Sequence, residues 1–144
     1  MSAECEIPLE NATSEEMRDI LTHARRIAVV GHSDNPLRDS YRIGRYLAAS
    51  GYEVFAVNPA ARSTPGLRFY SDLASVPPPI DIVDIFRRHE FIPAIVDEAI
   101  RAGAKVVWMQ EGLAHNAAAA TARAAGLRVV MNTCIMKARR SLGL

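Results

Sequence analysis

The sequence predicts an α/β protein: a single doubly wound, Rossmann-like five-strand parallel sheet with helices on both faces. Three observations carry that expectation. Short, continuous apolar runs such as RIAVVG (26–31), DIVDIF (81–86) and KVVWMQ (105–110) have the composition of strands buried on both sides. Segments of helical periodicity alternate with them, which is the pattern of βαβ units with right-handed crossovers. At 144 residues, without repeats, low-complexity tracts or an interdomain linker, the chain reads as one domain, 1–144, able to bury a core unaided.

In chain order, Thr13 and Glu16 stand in capping-box spacing, and Met17, Ile20, Leu21 and Ala24 make one apolar face, predicting a helix over 14–25. RIAVVG (26–31) is the first strand. DSYRIGRYLAASG (39–51) places Ile43, Gly44, Leu47 and Ala48 on one helix face and stops at Gly51. EVFAVNP (53–59) is the second strand, ended by Pro59. Residues 60–79 are irregular, with LRFY as a possible short strand. DIVDIF is the third strand, and FIPAIVDEAIRAG (91–103) a helix with Pro93 in its first turn. KVVWMQ is the fourth strand, with Trp108 expected in the core. NAAAATARAAG (116–126) is an alanine-rich helix that Asn116 can cap. RVVMN (128–132) is the fifth strand, and CIMKARRSL a short last helix.

Composition narrows the function classes. The chain is 49% hydrophobic and 23% charged, with a net charge of +1, so no strong field draws it to nucleic acid or to an anionic membrane. No run reaches 18 apolar residues. The acidic N-terminus lacks the apolar stretch of a secretory signal, and residues 1–13 are expected as a flexible lead-in. Cys5 and Cys134 form neither a disulfide framework nor a metal-ligand spacing, so a cytoplasmic setting and no metal are expected. Arginine outnumbers lysine 15 to 2, which reflects codon bias or a set of phosphate-gripping forks.

In open α/β sheets a ligand lies outside the carboxyl ends of the strands, at the topological switch point. The strands here exit into GHS (31–33), NP (58–59), FRR (86–88), QEG (110–112) and NTC (132–134). The first exit is the most informative. Gly31 makes the turn, Ser33, Ser40 and Tyr41 supply hydroxyls, and Arg38 precedes a helix whose free N–H groups suit phosphate. The plainer reading is that Asp39 or Ser40 caps the helix and Arg38 is solvated. A dinucleotide fingerprint is absent: the next glycine after Gly31 is Gly44, and the second strand ends in Asn58 rather than an acidic residue. A P-loop is excluded by the lack of G-K-[ST].

The motifs IAVVGHSDNPLRDSYRIGRYLAASGYEVFAVNP, DIVDIFRR, VVWMQEG and AAGLRVVMNTCIM, in this order and at these spacings, resemble the CoA-binding domain family. These are stand-alone CoA-binding proteins similar to the N-terminal domain of the succinyl-CoA synthetase alpha subunit. The resemblance runs from about residue 14 to 142 and implies coenzyme A as ligand. It places the diphosphate near the loop from Gly31 to Ser40 and the adenosine end by Asn58, Pro59, Phe86 and Arg87. Gly31, His32, Ser33, Arg38, Ser40, Asn58, Pro59, Phe86, Arg87 and Gln110 are the candidate ligand-binding residues. The synthetase subunits carry a glycine-rich loop where this chain has Pro36 and Arg38, which is closer to the stand-alone group. His32 stands where smaller residues are usual; it either touches the ligand or faces solvent.

No catalytic constellation is legible. His23, His32, His89 and His115 are scattered, with helix-start hydrogen bonding an adequate role for the last two. Glu111 with Asp84 is the one carboxylate pair on offer, and a structural role suits both. Cys134 begins the last helix, where the dipole lowers a thiol pKa. It is either a small buried hydrophobe or a thiol near the pocket able to exchange disulfides with CoA. The expectation is non-catalytic binding of coenzyme A or an acyl-CoA, with a small molecule as partner and a homodimer possible through a helix face. Two alternatives stand beside it: an accessory of an acyl-CoA-using enzyme that needs a partner chain, and an NAD(P)-binding Rossmann domain.

Overall fold

The computed structural model describes residues 5–144, and β1 (Arg26–Val30) occupies the middle of its sheet. It does so because it has no polar face to offer water: Ile27, Ala28 and Val29 are completely buried. Side chains alternate across a strand. Ile27 and Val29 therefore join one apolar cluster, and Ala28 and Val30 the other.

β2 (Glu53–Val57), β4 (Ile82–Ile85), β5 (Val106–Met109) and β6 (Arg128–Val130) are the other expected strands. A sixth strand corrects the expected five. β3 (Phe69–Tyr70) pairs in parallel with Ala56 and Val57 at the sheet edge. Two residues are too few to show a period of two, so LRFY could be raised only as a possibility. The all-parallel order is β3-β2-β1-β4-β5-β6.

α1 (Ser14–His23), α2 (Asp39–Ala49) and α5 (Ile135–Ser141) cover one face with Ile20, Leu21, Ile43, Leu47 and Ile135. α3 (Ile92–Arg101) and α4 (Asn116–Ala124) cover the other with Ile92, Ile95, Val96 and four alanines. Trp108 is fully buried, and its indole N–H donates to the Thr133 carbonyl at 2.8 Å. No helix among the described residues is long and apolar enough to cross a membrane.

Two details of capping separate expectation from outcome. At α1 the capping box forms: Thr13 Oγ1 accepts from Glu16 N at 3.1 Å, and the Glu16 carboxylate accepts from Thr13 N at 3.0 Å. At α4 the cap is His115 rather than Asn116. His115 Nδ1 accepts from Ala118 N at 3.1 Å, while Asn116 turns toward the N-terminal segment.

That segment was expected to be flexible; residues 5–13 are instead hydrogen-bonded to the domain, and residues 1–4 lie outside the described part. Glu6 N donates to the Ala114 carbonyl at 3.2 Å, and Leu9 N to Asn116 Oδ1 at 2.9 Å. Asn11 makes a reciprocal pair with the Met131 backbone, its amide donating at 2.8 Å and its oxygen accepting at 2.9 Å. Polar side chains rather than an apolar pattern hold the segment, so hydrophobic periodicity gave no sign of it.

One polar group sits inside the core without a partner. Asp84, in the middle of β4, is completely buried, and neither carboxyl oxygen makes a hydrogen bond. Burial pushes its pKa well above the ordinary carboxylate range, so the neutral acid is the stable form. The unfolded chain releases this proton near pH 4, whereas the folded chain retains it to higher pH. Stability contributed by the proton is therefore complete below about pH 4 and is lost as pH rises toward the folded-state pKa. We expect denaturation midpoints to fall across that window, with a limiting slope of about 1.4 kcal/mol per pH unit. The non-titrating isostere Asp84→Asn should remove this component, as chemical denaturation at a series of pH values from 4 to 8 will show.

Candidate functional site

β1 and β4 lie side by side, with Val30 opposite Ile85, yet their chains continue to opposite faces: β1 leads to α2 and β4 to α3. The sheet order reverses at this junction, which makes it the switch point where a cleft opens beyond the strand ends. Gly31 has a φ of +88°, and a Cβ built there would lie 2.5 Å from the Phe86 carbonyl oxygen. Only glycine allows the two exits to come this close.

The loop that follows is held by its own polar groups. Ser33 N donates to Ser40 Oγ at 2.9 Å, Asn35 N to Ser33 Oγ at 2.9 Å, and Leu37 N to Asn35 Oδ1 at 3.0 Å. Accepting these bonds leaves both serine hydroxyl protons available to a ligand. Arg38 occupies the N-cap position of α2 without a side-chain cap bond, so neither Asp39 nor Ser40 is the cap. The first-turn N–H groups are thereby open to an outside acceptor. Asp39 pairs with Arg42 one turn on.

His32 corrects its sequence reading, because it faces neither solvent nor cleft. It is 1% exposed, and its Nδ1–H donates to the Ser33 carbonyl at 2.8 Å. Tyr41 and Phe69 meet its ring edge-on, with centroids at 5.8 Å and 5.4 Å. A Cβ on Gly44 would lie 2.4 Å from its Nε2, so the bare backbone of α2 rests on the imidazole. Burial holds the ring below its ordinary pKa, against the opposing effect of the Ser33 bond, and so keeps it neutral. His32 and Gly44 thus fix where α2 begins.

Six of the ten candidate residues gather around one cleft of about 500 Å³: Gly31, Ser33, Arg38, Ser40, Asn58 and Phe86. Asn58 also shapes it, donating to the His32 carbonyl at 3.1 Å and accepting from Ala60 N at 3.0 Å. Pro59 is exposed and lines neither this cleft nor the groove beside it. That groove, about 1030 Å³, runs between the start of α2, the exits of β4 and β5, and α5. It shares Arg38, Asp39 and Phe86 with the cleft and adds Arg87 and Gln110. Gln110 is 4% exposed, and its Oε1 accepts from Ile135 N at 3.1 Å, anchoring α5. Cys134 is buried, as the first of its sequence readings has it, and it also lines the groove.

Arg42, Tyr46, Lys137 and Arg140 also line the groove and were missed in the sequence. Their signal was helical spacing: Arg38, Arg42 and Tyr46 recur every fourth residue, and Lys137 and Arg140 are three apart. The groove carries six cations against Asp39 and Glu111. Lys137 hydrogen-bonds Glu111 at 3.1 Å, which raises its pKa, and Arg88 pairs with Glu90 at 3.3 Å. Arg38, Arg87 and Arg140 have no carboxylate partner among the described residues. Arg87 lies over the Phe91 ring at 4.1 Å and Arg140 over Tyr46 at 4.9 Å. Such an array of unpaired forks above free helix N–H groups suits a polyanion.

Comparison with known proteins agrees in kind. A family model described as a CoA binding domain matches residues 25–140. The uncharacterized protein YneT of Bacillus subtilis is 37% identical over 127 residues, spanning 88% of this chain and 94% of that one. A hypothetical protein from Pyrococcus horikoshii is 36% identical with a TM-score of 0.89, covering 98% of this chain and 99% of its own. A dinucleotide-forming acetyl-coenzyme A synthetase of Ca. Korarchaeum cryptofilum superposes with a TM-score of 0.65 at 26% identity. There the match covers 74% of this chain and 26% of the synthetase.

The contact between His32 and Gly44 yields a thermodynamic test. Gly44→Ala drives a methyl into a buried ring and should cost about 1–3 kcal/mol. In a His32→Ala background the same substitution should cost far less, because the two residues are in direct contact. Urea denaturation of the two single variants and the double variant measures that coupling.

Proposed function

The chain belongs to the CoA-binding domain family, and from that premise we propose that it is a binding module for coenzyme A or an acyl-CoA with no reaction of its own. The observation that carries the reading is the switch-point cleft, where Gly31, the uncapped start of α2 and the unpaired Arg38 come together.

The chemistry of the ligand suits this arrangement. Coenzyme A carries a diphosphate and a ribose phosphate joined to a long neutral arm, so it needs several cations and an extended channel. The diphosphate would rest over the Gly31–Ser40 loop, receiving first-turn N–H groups, the Ser33 and Ser40 hydroxyls and the Arg38 fork. The adenosine end would lie toward Asn58 and Phe86. The pantetheine arm would follow the larger groove past Gln110 toward Cys134, and Arg87, beside Phe86, is the cation offered to the ribose phosphate at the adenosine end. Of the two carboxylates the sequence offers as a pair, Glu111 lines the groove and is engaged with Lys137, and Asp84 is sealed in the core.

Calorimetric titration with CoA, dephospho-CoA and NAD tests the reading. CoA should bind, dephospho-CoA more weakly, and NAD weakest of all. Arg38→Ala should weaken CoA by roughly 10- to 100-fold, the worth of about 1.5–3 kcal/mol for a charged hydrogen-bonded contact. Heat from NAD without heat from CoA would refute the ligand assignment.

A further inference from the structure

Away from the cleft floor, three metal-ligating side chains converge from three parts of the chain. Glu6 comes from the N-terminal segment, His89 from the turn after β4, and His115 from the loop after β5. One ligand atom of each lies within 4.8 Å of the other two. His89 Nε2 meets Glu6 Oε2 at 2.6 Å, and its side chain is 19% exposed. The His89 and His115 rings stack with centroids 4.3 Å apart and planes 20° from parallel. The cap on α4 accounts for His115, and the contact with Glu6 accounts for His89, but neither accounts for the stack.

We propose that Glu6, His89 and His115 bind a divalent transition-metal ion of the zinc class, clipping the N-terminal segment to two loops that border the ligand groove. Two imidazole nitrogens and a carboxylate oxygen make a donor set that selects zinc, cobalt, nickel or copper over magnesium and calcium. Three protein ligands leave a fourth, tetrahedral position for water. The carboxylate is already oriented: Glu6 Oε1 accepts from Asn116 N at 2.8 Å and from Asn116 Nδ2 at 3.1 Å. Those bonds supply the outer support that fixes a metal ligand.

The proton balance is simple. The ion takes the place of the proton that His89 Nε2 donates to Glu6 Oε2, and that proton moves to Nδ1 as the ring changes tautomer. The two ligand atoms then part to about 3.3 Å, the separation set by a tetrahedral ion about 2.0 Å from each. His115 Nδ1 now accepts from Ala118 N, so its proton sits on Nε2. Ligation through Nε2 moves that proton to Nδ1, and one cap hydrogen bond is exchanged for a coordination bond. The loops so joined are those that carry Arg88 and Leu113 into the groove wall.

The test titrates the whole chain with Zn²⁺ by calorimetry and with Co²⁺ by visible absorption, and follows cleavage within residues 5–13 under limited proteolysis. One ion per chain is expected, with tetrahedral Co²⁺ bands and slower cleavage when metal is present. His89→Gln should abolish these effects, Glu6→Gln should weaken binding at least tenfold, and Cys5→Ser, which removes the neighbouring thiol, should leave them intact. Absence of stoichiometric binding by the unaltered chain would overturn the proposal without recourse to any variant. So would binding that His89→Gln leaves unchanged, binding lost only in Cys5→Ser, or equal protection by Mg²⁺.

Discussion

The switch-point cleft depends on one close approach, that of the Gly31 backbone to the carbonyl of Phe86. A side chain at Gly31 would collide with that oxygen, so the absence of one lets β1 and β4 leave the sheet in contact. The φ of +88° then turns the chain over the strand ends into the loop that leads to α2. The His32 ring wedged beneath Gly44 sets the height of α2, and the serine hydroxyls set the path of the loop between. Each contact is local, but together they aim the start of a helix at one point in space.

Charge is organised differently in the floor of the site and in its walls. The interior beneath the floor is nearly neutral: His32 and Asp84 are both buried in their uncharged forms, one beneath the loop and one inside the sheet. The walls carry the cations, several of them over aromatic rings rather than beside carboxylates. An arginine stacked on a ring keeps its outward N–H groups free, whereas one locked to a carboxylate has spent them. The groove is thus preset for anions while the core beneath it avoids buried charge.

Much of this was legible in the sequence. The five longer strands, the helices, the Thr13–Glu16 box and the core position of Trp108 followed from periodicity and capping rules. The cleft was legible as well, because the switch-point rule needs only the order of elements, and Gly31, Ser33, Arg38, Ser40, Asn58 and Phe86 meet there. What escaped were contacts between distant residues. β3 has two residues, the docking of Asn11 on Met131 spans 120 positions, and His89 and His115 meet only because their loops leave adjacent strands. His32 was misplaced because a histidine beside a loop of serines and an arginine invites a ligand role, while its true neighbour is a glycine twelve residues later.

The docking of residues 5–13 has a consequence for how the chain reaches its native state. Their partners, Ala114, Asn116 and Met131, belong to the last third of the sequence. During synthesis the segment emerges before its partners, and its binding surface exists only after β5, α4 and β6 have been made and paired. It must close a loop of more than a hundred residues, and the entropy of closure falls due before any contact rewards it. The body of the domain therefore assembles first and the segment joins it last. In the finished protein the same polar clasp leaves Ile7 and Leu9 in water, so it buries little apolar surface, and segments held in that way open at a lower free energy than a buried sheet.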